Sequence, residues 1–125
     1  MELHHLAFRT PSLASLTDFY QRALGFEKVG GKSGYSNWLR MGSSVLMLEE
    51  RPVDEPGITP GCMEFVGFGV SETQRTVIRA KLQGMGVIIE AESDSTTYFR
   101  DPDGRRIGVS HFEFSDLDSG ACGDS

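Results

Sequence analysis

Apolar residues cluster from Leu3 to Arg9 and predict a first strand. Beyond Pro11 and Ser12, the apolar positions Leu13, Leu16, Phe19, Tyr20, Ala23 and Leu24 recur at helical spacing. That periodicity predicts an amphipathic helix with one buried stripe. Ser12 suits its N-cap, and Gly25 supplies a left-handed stop. Three short strands are expected next, at Phe26 to Val29, Tyr35 to Met41 and Ser44 to Glu50. Gly30-Gly31 and Gly42-Ser43 are read as the turns between them. The following stretch, with Pro52, Pro56, Gly57, Pro60 and Gly61, has no periodicity and reads as a linker.

The same order then returns. A strand is expected from Glu64 to Val70. A helix follows, capped by Ser71 with Gln74 as capping-box partner and stopped at Gly86. Val77, Ile78, Lys81, Leu82 and Met85 fall along one side of it, Lys81 as a flanking side chain. Strands are expected at Val87 to Ala91, Thr96 to Arg100 and Arg105 to Phe112. Asp101-Pro102-Asp103-Gly104 forms a tight turn between the last two. Phe8 and Phe68 are 60 residues apart, and Gly25 and Gly86 are 61 apart, as are Leu46 and Ile107. A fixed offset marks a duplicated unit. The expected organisation is a single domain over 1–114: module one at 3–50, a linker at 51–62 and module two at 63–114. A mobile acidic tail is expected over 115–125.

Composition narrows the classes of function. Among 125 residues, 12 are basic and 18 acidic, for a net charge of −6. Nucleic acid and anionic membrane surfaces call for clustered Lys and Arg, so neither is expected as a partner. No apolar run approaches the ~20 residues of a membrane span. The N-terminus lacks the basic-then-apolar pattern of a signal peptide. Cys62 and Cys122 form neither a disulfide framework nor a Cys-x-x-Cys motif. A cytoplasmic location with reduced thiols is the expectation.

His5-Leu6-Ala7-Phe8-Arg9, Phe19-Tyr20, Leu24-Gly25-Phe26 and Tyr98-Phe99-Arg100-Asp101-Pro102-Asp103-Gly104 together resemble the vicinal oxygen chelate superfamily of glyoxalases, bleomycin resistance proteins and extradiol dioxygenases. The resemblance covers residues 3 to 112. It implies an α+β fold of two βαβββ modules forming a curved eight-stranded mixed sheet around a central cup. In metal-using members a divalent ion in the cup chelates vicinal oxygens of the substrate. Its His and Glu ligands come from the first and last strands of each module.

On that pattern His5 falls at the first ligand position. The other three positions hold Phe65, Gly108 and Met47. Phenylalanine and glycine offer no donor, and a thioether is a poor partner for Zn²⁺ or Mg²⁺. A catalytic zinc normally takes three protein ligands. No metal is therefore favoured. If one binds, its ligands are His5 and Glu49, the latter being otherwise a rim carboxylate. Strand alternation turns His4 away from the face of His5, and directs His111 outward.

The remaining cup lining is inferred as Arg9, Trp38, Met47, Phe65, Tyr98 and Ser110, with His5 and Glu49 beside them. Aromatic walls with a few polar groups describe a small-molecule site, and Arg9 can hold an anion in a fork. Gly67, Gly69 and Gly108 leave room near the sheet. The residues fit a protein that binds a small aromatic or anionic molecule without a catalytic metal. The alternative is a divalent-metal-dependent glyoxalase-like lyase or isomerase, thiol transferase or extradiol dioxygenase that uses His5. In a metal-free enzyme, His5 and Tyr98 are the catalytic candidates, as base and acid. The bland readings stand beside these. Trp38 and Phe65 fill a core, Arg9 pairs only with Glu49, and Arg100, Asp101 and Asp103 stabilise the turn. The resemblance also implies a homodimer.

Overall fold

In the computed structural model, residues 1–115 are described. Of the expected tail over 115–125, residues 116–125, with Cys122, lie outside the described residues. The elements are β1 His5–Thr10, α1 Leu13–Leu24, β2 Lys28–Lys32, β3 Ser36–Met41 and β4 Ser44–Glu50, then β5 Phe65–Gly69, α2 Glu72–Gly84, β6 Ala91–Glu92, β7 Thr96–Arg100 and β8 Arg106–Ser110. Strand, helix and three strands occur twice. The chain forms two compact units, one spanning Met1 to Thr59 and the other beginning at Pro60. Each holds a four-stranded mixed sheet, ordered β1-β4-β3-β2 in the first and β5-β8-β7-β6 in the second.

In each module the first and last strands pair in parallel, β1 with β4 and β5 with β8. Parallel neighbours need a long crossover, and the helix with its following hairpin strands provides it. In the first module Leu6 pairs with Leu46 and Phe8 with Leu48. Phe8, Leu39, Leu46 and Leu48 are buried, and α1 packs over β4 and β3. The helix buries Leu13, Leu16, Thr17, Phe19, Tyr20 and Ala23, a stripe at helical spacing. Each fully buried large apolar side chain contributes about 1.5–3 kcal/mol against exposure. The second core is leaner: Phe68, Phe99, Ile107 and Val109 lie on the face of Ile78 and Leu82 of α2.

A polar tether joins helix to sheet at the same strand position in both modules. Asn37 Nδ2 donates to Thr17 Oγ1 at 2.9 Å, and Arg75 Nε donates to Thr97 Oγ1 at 2.8 Å. Asn37 and Thr97 are 60 residues apart, the offset of the repeat.

Three local expectations change. The second strand runs from Lys28 to Lys32 and takes Gly30-Gly31 into its middle, while the turn falls at 33–35. Gly31 is needed there, and Gly30 lies close under the Trp38 ring. A Cβ on Gly30 would meet the Trp38 indole at 3.0 Å, and one on Gly31, at φ +128°, would sit 2.2 Å from the Ser36 carbonyl oxygen. The expected strand at Val87 to Ala91 shrinks to Ala91–Glu92, and Ile88 is exposed. On α2, Val77 is exposed, and the stripe toward the sheet is Arg75, Ile78 and Leu82. The expected turn is well tied. Asp101 is buried, its Oδ1 accepts from the Asp103 and Arg105 amides, and Gly104 takes φ +92°.

The two helix caps differ. Ser71 Oγ accepts from the Gln74 amide at 3.1 Å while Gln74 Oε1 accepts from the Ser71 amide at 2.8 Å, completing the capping box. Ser12 makes no side-chain cap bond. Ser71→Ala should therefore cost about 1 kcal/mol of stability and Ser12→Ala only a few tenths. Urea denaturation of the two variants checks the difference.

Candidate functional site

Each sheet has one face against its helix and one open face, because successive side chains alternate. In the first module the open face carries His5, Ala7 and Arg9 of β1, Val45, Met47 and Glu49 of β4, and Ser36, Trp38 and Arg40 of β3. The register aligns them in rows. Arg9, Glu49 and Ser36 form one row, Ala7, Met47 and Trp38 the next, and His5, Val45 and Arg40 the third. Arg9, Trp38, Met47 and Glu49 are thus neighbours.

His5 is not brought to Glu49. Four residues of strand separate it from Arg9, roughly 13 Å at ~3.3 Å per residue. Its partner is His4, with Nδ1 to Nδ1 at 2.9 Å and the rings edge to face at 5.2 Å. One imidazole donates and the other accepts. This corrects the expectation that His4 turns away. The strand begins at His5, so alternation does not govern the residue before it.

Arg9 is engaged within the first unit, by Glu49 of β4 and by Glu55 of the segment that follows it. Its Nε lies 2.9 and 2.8 Å from the two carboxylate oxygens of Glu55, and Nη1 lies 3.5 Å from Glu49 Oε1. The hydrogen bond to Glu55 is the largest cause holding the guanidinium above its ordinary pKa, and Tyr35 adds a further one. Glu55 was not foreseen as a site residue.

In the second module the open face carries Phe65, Gly67 and Gly69 of β5, Arg106, Gly108 and Ser110 of β8, and Thr96, Tyr98 and Arg100 of β7. The Phe65 and Tyr98 rings meet edge to face, 5.0 Å apart at 89°. They close over Gly108, where a Cβ would touch Phe65, Thr96 and Tyr98 at 3.4 Å each. The room expected above Gly108 is thus taken by the rings, while nothing lies within 4 Å of a Cβ placed on Gly69. The Arg106 guanidinium stands 4.1 Å from the Tyr98 ring centre and 5.3 Å from that of Phe65. Cation and ring quadrupole attract in that geometry. Ser110 Oγ accepts from Thr96 Oγ1 at 2.7 Å.

Glu90 collects Arg100 at 2.6 Å and Arg106 at 3.4 Å. The Arg100 hydrogen bond is the largest cause keeping its carboxyl below the ordinary 4.5, and Arg106 acts in the same direction. Behind the sheet, Arg75, Arg79, Glu92 and His111 border a depression of about 300 Å³. Glu92 accepts from both arginines there, and Arg75 reaches the carbonyls of Ser93, Asp94 and Thr96. Arg75 escaped the sequence reading because the carbonyls it reaches lie 18 to 21 residues away, outside the helix pattern.

The four positions at which the resemblance implies metal ligands are His5, Met47, Phe65 and Gly108. They supply one imidazole, one thioether, one hydrocarbon ring and no side chain. Among the described residues, no group of three or more His, Cys, Asp or Glu side chains lies together to hold a metal ion. This donor set does not fit a three-ligand divalent site. No helix among the described residues is long and apolar enough to cross a membrane.

Residues 2–109 match the sequence profile of the Glyoxalase/Bleomycin resistance protein/Dioxygenase superfamily. No curated protein matches. Among solved structures, a possible glyoxalase from Bacillus cereus is similar at 23% identity and TM-score 0.72, over 88% of this chain and 98% of that one. The fosfomycin resistance protein FosX from Listeria monocytogenes is similar at 13% identity and TM-score 0.80, over 96% and 98%. A mutant of that FosX complexed with Mn(II) and 1S,2S-dihydroxypropylphosphonic acid gives 13% and 0.77, over 96% and 98%. At these identities the likeness is one of fold.

Glu92 is held below the ordinary 4.5, chiefly by its hydrogen bond from Arg79 and further by Thr97 and Arg75. A lowered carboxylate pKa contributes stability that is present above 4.5 and lost as the pH falls through the lowered value. Glu92→Gln should flatten that acid limb. Thermal denaturation from neutral pH to about pH 3 compares the two proteins.

Proposed function

We propose that this chain, which belongs to the Glyoxalase/Bleomycin resistance protein/Dioxygenase superfamily, binds a small aromatic molecule bearing an anionic group on the open faces of its sheets, without a catalytic metal. The observation that supports this reading is the Phe65–Tyr98 pair under Arg106, closed over Gly108, with Phe65 and Gly108 at two of the positions where the resemblance implies metal ligands. A planar ring gains about 0.5–1.5 kcal/mol from each well-placed aromatic contact beyond its buried area. The guanidinium over those rings favours an acidic substituent. Trp38 and Met47 give the first module an apolar surface of the same kind, with Arg9 beside it. Ser110 adds a hydroxyl. Where the bound molecule also reacts, His5 and Tyr98 are the acid–base candidates. The same reading has the protein act in the cytoplasm as a homodimer.

The second reading is a divalent-metal-dependent lyase or isomerase, thiol transferase or dioxygenase that uses His5. It rests on the one nitrogen donor retained at a ligand position, exposed at the start of β1.

A thermal-shift titration with benzoate and phenylphosphonate, run with and without EDTA, separates the two. The proposal expects stabilisation by both probes that EDTA leaves unchanged. Phe65→Ala and Tyr98→Ala should each weaken binding about tenfold, as loss of about 1.4 kcal/mol implies. Stabilisation that vanishes with EDTA supports the second reading. A protein that ignores both probes overturns the proposal.

A further inference from the structure

Between β4 and β5 the chain runs without regular structure, yet one of its side chains is held firmly. Glu55 lies 46 residues from Arg9 in sequence, and its two carboxylate oxygens sit at 2.9 and 2.8 Å from the Arg9 Nε. The segment is shaped to present it. The Glu55 amide donates to the Pro52 carbonyl at 3.1 Å, closing a turn. Arg51 Nη1 donates to the Glu55 carbonyl at 2.6 Å, and the Arg51 amide is tied to the Thr10 carbonyl at 2.8 Å. Gly57 lets Arg51 approach, since a Cβ there would lie 2.9 Å from Arg51 Nη1. Arg51, the Pro52–Glu55 turn and Gly57 thus set one carboxylate against the Arg9 guanidinium on the open face.

We infer that Glu55 is a built-in competitor for the anion site at Arg9, carried on a strap of residues 51–57 that an anionic ligand must displace. The inference rests on the proposed ligand reading and adds its regulation. The chemistry is an exchange of like for like. The carboxylate that occupies Arg9 has the charge and the paired oxygens of a ligand carboxylate or phosphonate. A ligand therefore gains net affinity only from what it brings besides its anion, which here is an aromatic ring for the row of Trp38 and Met47. Small anions with no ring are refused because they only replace what is already bound. Glu49 stays in place at 3.5 Å from Arg9 Nη1 and keeps the guanidinium oriented during the exchange.

The test is phenylphosphonate binding, followed through the fluorescence of Trp38, the single tryptophan of the chain. Amide hydrogen exchange over residues 51–57 is measured alongside. Wild type is compared with Glu55→Gln, Arg51→Ala and Arg9→Gln. The expected result is affinity about tenfold tighter in Glu55→Gln, moderately tighter in Arg51→Ala and lost in Arg9→Gln. Exchange over 51–57 should speed up in all three variants, and in wild type on adding phenylphosphonate. Equal affinity in wild type and Glu55→Gln overturns the inference and leaves the ligand reading standing. Binding that persists in Arg9→Gln does the same, because the anion is then held elsewhere. Phenylphosphonate binding to none of the four proteins overturns both.

Discussion

The register of the parallel strand pair in each module governs everything built on it. Leu6 opposite Leu46 and Phe8 opposite Leu48 fix which face of the first sheet meets α1. Val66 opposite Ile107 and Phe68 opposite Val109 do the same for α2. A slip of one residue would carry these apolar side chains to the open face and bury Arg9, Glu49 and Arg106 in their place. Burying unpaired charge is prohibitively costly, so the register is strongly specified. The open face is a by-product of the same alternation, since it is whatever the core does not take.

The two modules share a scaffold and differ in what they display. Trp38 and Tyr98 occupy equivalent positions, 60 residues apart. Around Trp38 the first module sets charges, with Arg9 between Glu49 and Glu55. Around Tyr98 the second sets glycines and a second ring, and a single cation lies across both rings. Duplication kept the apolar face of each sheet and let the open faces diverge. Phe65 and Gly108, which offer no donor atom at two positions where the resemblance implies ligands, belong to that difference.

Much of the fold was legible because periodicity and duplication are local signals. The apolar stripe of α1, the Ser71–Gln74 capping box, Gly25 at φ +72° and the Asp101 turn are all short-range patterns. Gly30-Gly31 misled because a glycine pair signals a turn and equally a strand that must pass close to an indole and a carbonyl. Only the tertiary neighbours decide between the two. The open-face residues of the site could be placed by alternation alone. Their partners could not. Glu55 comes from an aperiodic segment, and Arg106 over Tyr98 depends on a cross-strand diagonal. His4 precedes the strand whose rule was applied to it.

The central claim is that the open faces recognise a ligand without a divalent ion. Purified protein without a His tag, dialysed against Mn²⁺, Ni²⁺, Zn²⁺ or Fe²⁺ and assayed for bound metal beside His5→Ala, tests it most directly. The account predicts no stoichiometric metal in either protein. One ion per chain in the wild type, lost in His5→Ala, would contradict it and assign the site to metal chemistry.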